Sequence, residues 1–185
     1  GGPPLPLAIM VSDDTAAATA ALLEAHDYYG LDRAHVTLLK QDKVPCLVDN
    51  DARLALADAG AGGAADATLL TKPHGHGDVH YLLHSSGLAS GWRARGIKWV
   101  YLMQDTNALA FRTLPAALGV SVAQELDVNS LCVSRTPGEA IGGLMRLTRA
   151  GDGAAMTANV EYNQIDALLR ATVEPRGDVA GADGY

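Results

Sequence analysis

The stretch LAIMVSDDT, residues 7–15, decides the fold class of this chain. Its apolar run is typical of a short strand buried in a parallel sheet. The polar SDDT that follows has the residue types that begin helices, and it predicts a helix from about Asp13 to His26. A strand that leads directly into a helix is the repeating unit of α/β proteins. We therefore expect an α/β fold.

The same alternation continues along the next eighty residues. Further strands are predicted at residues 35–41, 68–73 and 97–105, and the last of these has the strongest strand pattern in the chain. Helices are predicted from about Asp78 to Ser85 and from about Leu88 to Arg95. The repeated order of strand, helix and strand predicts a sheet that is mostly parallel or mixed.

The second half of the sequence has a different character. Segments 127–135, 140–149 and 155–164 have strand-like patterns separated by Gly, Pro and Asp turns, and a short helix is predicted at 165–171. We expect them to form an added β-rich half. The small-residue stretch at 58–67 is expected to be a surface loop.

Composition limits the classes of function. The chain has 185 residues, 48% of them hydrophobic, which suits one domain of ordinary size. Its net charge of −7 disfavours a general affinity for nucleic-acid phosphates. Cys46 and Cys132 match no disulfide or CxxC pattern, and no apolar run is long enough to span a bilayer. We expect a cytoplasmic monomer with no nucleic-acid or membrane partner.

Polar side chains follow nearly every predicted strand. They include residues 12–15, Gln41, residues 74–78, residues 104–107 and residues 161–164. In a doubly wound sheet, ligands bind beyond the carboxyl ends of the strands. These clusters therefore predict one shared cleft.

The histidine-rich segment HGHGD, residues 74–78, has several interpretations. If a helix begins by Gly75, then His76, His80 and His84 share one face and could bind zinc. The helix start could instead contact phosphate, although no P-loop pattern is present. A third interpretation is a slot for a flat polar ring, because a ring can approach the main chain only where no Cβ intervenes. The simplest interpretation is a glycine turn before a helix, with Asp78 beside the positive end of the helix dipole.

Four other positions also have two interpretations each. Asp105 could hold Mg²⁺ together with a substrate phosphate, or only cap a turn. Gln41 could read the edge of a base, or be an ordinary strand-end residue. Glu161 could accept hydrogen bonds from sugar hydroxyls, or lie on a surface strand. The pair Gly142–Gly143 could offer backbone N–H groups, or form a bulge.

Several blocks of sequence occur in an order that resembles one enzyme family, the UDP-sugar pyrophosphorylases of plant and protist type. The blocks are PLAIMVSDDT (6–15), LLKQDKVPCL (38–47), DNDARLAL (49–56), TKPHGHGDVH (71–80), QDTN (104–107), LGVS (118–121), EAIGGLMRLT (139–148) and NVEYNQID (159–166). The resemblance implies a Rossmann-like nucleotidyltransferase core. It also implies a uridylyltransferase that forms UDP-sugar and pyrophosphate from UTP and a sugar 1-phosphate, with Mg²⁺ or Mn²⁺.

The resemblance also implies roles for individual residues. Gln41 would bind uracil, and Gly75 would contact the uracil edge through its backbone. His76 would lie close to the sugar and phosphates, and Asp105 would hold the metal; these two are the predicted catalytic residues. The other candidates are Met10 and Ser12 for the nucleotide and Gly143, Glu161 and Asn163 for the sugar.

The resemblance predicts that parts of the enzyme lie outside this sequence. The family's basic, glycine-rich triphosphate loop would precede residue 6, and its later catalytic lysine and C-terminal domain would follow residue 185. We therefore expect residues 1–185 to be a central part of a catalytic domain, truncated at both ends and unable to turn over alone. The alternatives are a non-catalytic nucleotide- or sugar-binding module and a histidine-rich metal-binding protein.

Overall fold

The computed structural model describes residues 4–57 and 67–179. The chain divides into two compact units, Gly1–Val100 and Tyr101–Tyr185. The predicted surface loop at 58–67 lies almost entirely outside the described residues. The prediction of a single domain stays a prediction.

The first unit begins with the predicted order of strand, helix and strand, and continues with two further strands and then two helices. Its elements are β1 (Leu7–Val11), α1 (Asp13–Ala25), β2 (Val36–Lys40), β3 (Lys43–Pro45), β4 (Thr71–Pro73), α2 (Asp78–Ser85) and α3 (Leu88–Ala94). Two short 3₁₀ turns connect α1 to β2. Each of these strands and helices lies within a few residues of a predicted one, except β3, for which no strand was predicted.

Strands β1 and β2 are parallel neighbours, as the crossover through α1 requires. Leu7 pairs with Val36 and Val11 pairs with Lys40, so the two strands end together. The residues that follow them, Ser12 and Gln41, therefore lie at the same edge of this sheet. This alignment brings two of the predicted polar clusters together.

A second pair of strands follows β2 in the first unit, and it is antiparallel. Strand β3 pairs with β4, with Lys43 opposite Pro73 and Pro45 opposite Thr71. This pairing places the glycine turn that follows β4 directly beside the residues that follow β2. A small core holds the unit together: Leu39, Leu83 and Trp92 are buried in contact with one another.

The second unit contains α4 (Ala110–Ala123), β5 (Gly143–Thr148), β6 (Ala155–Val160) and α5 (Tyr162–Thr172). Strands β5 and β6 form an antiparallel hairpin in which Gly143 is opposite Val160. Val160 and Ile165 are buried, and Ile165 is fully enclosed. Ile165 thus anchors α5 against the start of β5, because its Cδ1 lies 3.4 Å from the position a Cβ would take on Gly143.

Several predictions for the elements are wrong. Residues 97–105 are not a strand, although their apolar pattern is strong; Trp99 and Val100 remain 38% and 51% exposed. An extended segment becomes a strand only when a neighbour pairs with its backbone, and the described residues supply none here. Residues 127–135 are irregular for the same reason. The described strands form one parallel and two antiparallel pairs, rather than one mostly parallel sheet.

Two helices also differ from prediction. Helix α4 was not predicted, and it contains Pro115 in its interior. Helix α5 begins at Tyr162 rather than Ile165, so the predicted strand 155–164 ends at Val160. None of the helices in the described part of the chain has the length and apolar character needed to cross a bilayer.

Candidate functional site

Gln41 is held at the end of β2 by both its backbone and its side chain. Its N–H donates to the Val11 carbonyl over 2.8 Å, which extends the pairing of β1 and β2 by one residue. Its side-chain Oε1 accepts a hydrogen bond of 3.0 Å from the backbone N–H of Gly75. Because that donor is a backbone N–H, the amide must turn Oε1 toward it and leave Nε2 on the other side. Within the described part of the chain Nε2 has no hydrogen-bond partner, so this donor is available to a ligand.

Gly75 has a backbone conformation that favours glycine. Its φ is +135°, a value that L side chains rarely adopt, and a Cβ built there would have no atom within 4 Å. The space above Gly75 is therefore open, as a slot for a flat ring requires. Its N–H is already bonded to Gln41, and its carbonyl accepts a hydrogen bond of 3.1 Å from the N–H of Asp78. A base that used the Gly75 N–H would have to displace Gln41 Oε1 from it.

The turn that carries Gly75 is closed by a side-chain pair. His74 Nδ1 lies 2.6 Å from Asp78 Oδ1, and the His74 N–H donates to the Asp42 carbonyl over 3.2 Å. Asp78 is in the first turn of α2, where a carboxylate also interacts favourably with the helix dipole. The glycine turn is thus fixed at both ends, which supports the structural interpretation of Asp78.

The three histidines proposed as a metal face do not meet the geometric condition for it. Helix α2 begins at Asp78, so His76 lies in the preceding turn rather than on the helix. His76, His80 and His84 are all exposed. Across residues 4–57 and 67–179, no group of three or more His, Cys, Asp or Glu side chains is placed to hold a metal ion.

Met10 and Ser12 lie at the end of β1, as predicted. Ser12 is buried and is the N-cap of α1; its N–H donates to Thr15 Oγ1 over 2.9 Å. Its hydroxyl is 3.2 Å from the same Thr15 oxygen. Met10 is half-buried in β1 opposite Leu39. Ser12 therefore has a clear structural role, and its predicted contact with a nucleotide stays a prediction.

The charges near this edge are arranged in pairs. Lys40 Nζ lies 2.8 Å from Asp13 Oδ1, and Lys43 Nζ lies 3.5 Å from Asp13 Oδ2. The hydrogen bond from Lys40 lowers the pKa of Asp13, and the same contact raises the pKa of Lys40. Asp13 and Asp14 occupy the first turn of α1. The N-terminus of α1 is therefore already compensated by carboxylates, which disfavours phosphate binding there.

Asp105 lies in an exposed turn of the second unit, at the end of the segment predicted as a strand. The N–H of Asn107 closes this turn by donating to the Gln104 carbonyl over 3.0 Å. In the described residues no side chain or backbone group pairs with the Asp105 carboxylate. A solvated, unpaired carboxylate is suited to bind a hard cation that also contacts substrate phosphates.

The predicted sugar-binding residues come together where β5, β6 and α5 meet. Gly143 begins β5 opposite Val160, and Glu161 is the N-cap of α5. Asn159 links the two sides, because its Nδ2 donates to Glu161 Oε1 over 3.2 Å. A Cβ on Gly142 would lie only 3.0 Å from Asn159 Oδ1. Gly142 therefore permits a close approach of backbone and side chain rather than a bulge.

Sequence reasoning missed Asn159 in this group. Its signal was its position two residues before Glu161, because alternate residues of an extended backbone point to the same side. Asn163, in contrast, is exposed in the first turn of α5, and the structure shows no contact that distinguishes it.

The predicted residues are thus divided between the two units. Gln41, Gly75 and the neighbouring His76 belong to the first unit. Gly143, Glu161 and Asp105 belong to the second. The prediction that all of them line one cleft stays a prediction.

The described elements form an α/β fold of helices and small sheets that is nucleotidyltransferase-like. The structure resembles the crystal structure of a protein assigned as a UDP-N-acetylglucosamine pyrophosphorylase from Entamoeba histolytica, with a TM-score of 0.58 and 16% identity. The match covers 96% of this chain and 41% of that one. At this identity the likeness establishes the fold alone.

Sequence comparison then shows the family. The chain belongs to the UTP–glucose-1-phosphate uridylyltransferase family, whose model matches residues 2–170. It is 53% identical over 181 residues to the UDP-sugar pyrophosphorylase of Oryza sativa subsp. indica and 52% identical over 181 residues to that of Arabidopsis thaliana. Each match covers 98% of this chain but 28% of the relative, so the chain spans little more than a quarter of the relatives' length. The resemblance noted from the sequence blocks is confirmed.

Proposed function

We propose that the protein containing this chain is a uridylyltransferase that makes UDP-sugars from UTP and sugar 1-phosphates, with release of pyrophosphate. The observation that carries the proposal is the pair Gln41–Gly75, in which an oriented carboxamide stands beside an open glycine backbone at the end of two parallel strands. The family membership and the relatives' names support the same activity.

The Gln41–Gly75 pair suits the edge of uracil. Uracil presents two carbonyl oxygens and one N–H, so its recognition needs both donors and an acceptor in one plane. Gln41 Nε2 supplies a donor without any rearrangement. If the base displaces Gln41 Oε1 from the Gly75 N–H, the site gains a second donor and an acceptor. The base would then lie over the open face of Gly75.

The group at Gly143, Asn159 and Glu161 suits a sugar. Glu161 accepts hydrogen bonds, and Asn159 both donates and accepts them, which matches ring hydroxyls. Discrimination between sugars depends on groups that are left unpaired by the wrong substrate. We propose that this group binds the sugar and determines which sugar 1-phosphates the enzyme accepts.

Chemistry at the phosphates needs alignment more than acid–base catalysis. The attacking oxygen of a sugar 1-phosphate is already anionic at neutral pH, so no strong general base is required. The unpaired carboxylate of Asp105 fits a divalent cation of the Mg²⁺ or Mn²⁺ type, which neutralises phosphate charge when bound. His76 is exposed beside Gly75, and in this proposal it donates a hydrogen bond to a phosphate oxygen.

The test is an assay of the full-length gene product with UTP, Mg²⁺ and a panel of sugar 1-phosphates, in which UDP-sugar and pyrophosphate are both measured. We expect equal amounts of the two products. Residues 1–185 alone, titrated with UTP by calorimetry, are expected to bind weakly and not to turn over. Binding by the full-length product without formation of pyrophosphate would contradict the proposal and favour a non-catalytic nucleotide-binding module.

A further inference from the structure

Among the described residues of the second unit, the most enclosed ion pair lies next to the proposed sugar group. Arg135 and Asp178 are 43 residues apart, and their side chains are only 16% and 8% exposed. Arg135 Nη1 lies 2.9 Å from Asp178 Oδ1, and Nη2 lies 2.6 Å from Oδ2. This two-pronged geometry is specific to a guanidinium with a carboxylate. The contact with Arg135 lowers the pKa of Asp178, so its carboxylate is charged at neutral pH.

The same guanidinium closes the loop that leads into β5. Arg135 Nε donates to the Ile141 carbonyl over 2.8 Å, and Nη2 donates to the Glu139 carbonyl over 3.0 Å. Asp178 Oδ2 also accepts a hydrogen bond of 2.9 Å from the Gly138 N–H. The loop 135–141 is therefore held by hydrogen bonds to the Arg135–Asp178 ion pair. Its last bonded carbonyl immediately precedes Gly142.

On its other side Asp178 is fixed to α5. The Asp178 N–H donates to Asp166 Oδ1 over 3.0 Å, and Asp166 Oδ2 accepts a hydrogen bond of 2.8 Å from Arg170 Nε. Gly177 has a φ of +84°, and a Cβ there would collide with the Asp166 carboxylate. Helix α5 carries Glu161 at its N-cap. The ion pair thus connects the loop before Gly142 to the helix that Glu161 caps.

We propose that Arg135 and Asp178 are positioning residues that set the distance between the Gly142–Gly143 backbone and the Glu161 carboxylate, and so determine affinity for the sugar 1-phosphate. The proposal rests on the proposed function, since it assumes that this group binds the sugar. Neither residue contacts substrate. Their effect passes through the Ile141 carbonyl on one side and α5 on the other.

The test uses Asp178→Asn and Arg135→Lys in the full-length gene product. Asparagine keeps the shape but loses the charge, and lysine keeps the charge but loses the two-pronged geometry. We expect the KM for sugar 1-phosphate to rise roughly tenfold, because small misplacements of binding groups have large kinetic effects. The KM for UTP should stay within about twofold, since the nucleotide is assigned to Gln41 and Gly75.

Arg149→Lys is the matched control. Arg149 forms an exposed pair with Asp152 in the β5–β6 hairpin, with Nε 2.9 Å from Oδ1, and that pair touches neither the loop nor α5. We expect its kinetics to be unchanged. An equal effect of Arg149→Lys, or an equal rise in the KM for UTP, would overturn the proposal.

Amide hydrogen exchange separates this proposal from the proposed function. In Asp178→Asn and Arg135→Lys, exchange at residues 138–143 should be faster than in the wild type, by more than exchange in the strands of the first unit. Faster exchange with an unaltered KM for sugar 1-phosphate would overturn the positioning role. If the wild-type protein forms no UDP-sugar, the proposed function is wrong. Unchanged exchange at residues 138–143 in the variants would show, independently of activity, that the ion pair does not hold the loop.

Discussion

Gln41 and Gly75 are 34 residues apart in the chain, yet the Gly75 N–H donates to Gln41 Oε1 over 3.0 Å. The contact exists because β3 follows β2 closely in the chain and β4 pairs with β3. This pairing brings the residues after β4 back to the end of β2. This contact leaves the side-chain NH₂ of Gln41 and the open face of Gly75 side by side, where both are accessible to a ligand. Changes at either residue should therefore affect binding of the nucleotide.

Replacing Gln41 should weaken nucleotide binding selectively. Gln41→Ala removes the donor Nε2 and leaves the Gly75 N–H without its partner. We expect the KM for UTP to rise about tenfold, the effect of one or two neutral hydrogen bonds. The KM for sugar 1-phosphate should change less. Steady-state kinetics of the full-length gene product measures both, with the exposed Gln124→Ala as control; the opposite pattern would exchange the two half-sites.

Two neighbouring glycines should respond in opposite ways to alanine. Gly75 has a φ of +135°, whereas Gly77 has a φ of −60°, and neither has an atom within 4 Å of a Cβ position. Gly75→Ala should lower the free energy of unfolding by about 1 kcal/mol through backbone strain alone. Gly77→Ala should be neutral or raise it by about 0.5 kcal/mol. Denaturant unfolding tests this, and an equal loss in both variants would contradict the backbone argument.

Of these two variants, only Gly75→Ala should also weaken nucleotide binding. A methyl group on Gly75 would occupy the space in which we place uracil, so the KM for UTP should rise in that variant and not in Gly77→Ala. If UTP binds Gly75→Ala as tightly as the wild type, the base does not lie over Gly75.

Asp105→Asn should reduce activity through the metal. The amide keeps the size of the side chain but loses its charge, so we expect kcat to fall roughly a hundredfold and the Mg²⁺ concentration for half-maximal rate to rise. Asp127→Asn, at another exposed carboxylate of the same unit, serves as control. A chelator should abolish wild-type activity, and added Mg²⁺ or Mn²⁺ should restore it. Full activity in Asp105→Asn would remove this residue from the mechanism.

Replacement of His76 should impair catalysis, whereas replacement of His80 or His84 should not. His76 lies in the glycine turn, while His80 and His84 lie on the exposed face of α2. His76→Ala should reduce kcat about tenfold or more, as expected for a lost hydrogen bond to a charged phosphate. His80→Ala and His84→Ala should have wild-type kinetics. Stoichiometric zinc in the purified protein, lost on replacement of His76 and His80, would instead support a metal-binding protein.

The Asp178 carboxylate should contribute a pH-dependent part of stability. Arg135 lowers its pKa below the ordinary value of 3.8, so its contribution is complete above that pH and is lost as the pH falls through the lower folded value. The wild type should therefore exceed Asp178→Asn in free energy of unfolding at neutral pH. The difference should shrink below pH 3.8. Parallel curves over the whole range would show that the ion pair does not contribute.

Local sequence predicted the elements whose causes are local. The apolar run before SDDT specified β1 and α1, and the glycines before Asp78 specified the start of α2, because strand burial and helix capping act over a few neighbouring residues. The ordered blocks also identified the family. They could not reveal that residues 97–105 are unpaired, since pairing depends on a partner distant in sequence.

Tertiary structure decided which polar residues act together. The glycine at position 75 and the glutamine at position 41 were each ambiguous as sequence, and only the return of β4 beside β3 joins them. The pair Arg135–Asp178 had no distinguishing pattern at all, and Asn159 had only its spacing from Glu161. Hydrogen bonds and ion pairs are short-range and directional, so their partners are chosen by the folded path of the chain and not by spacing along it.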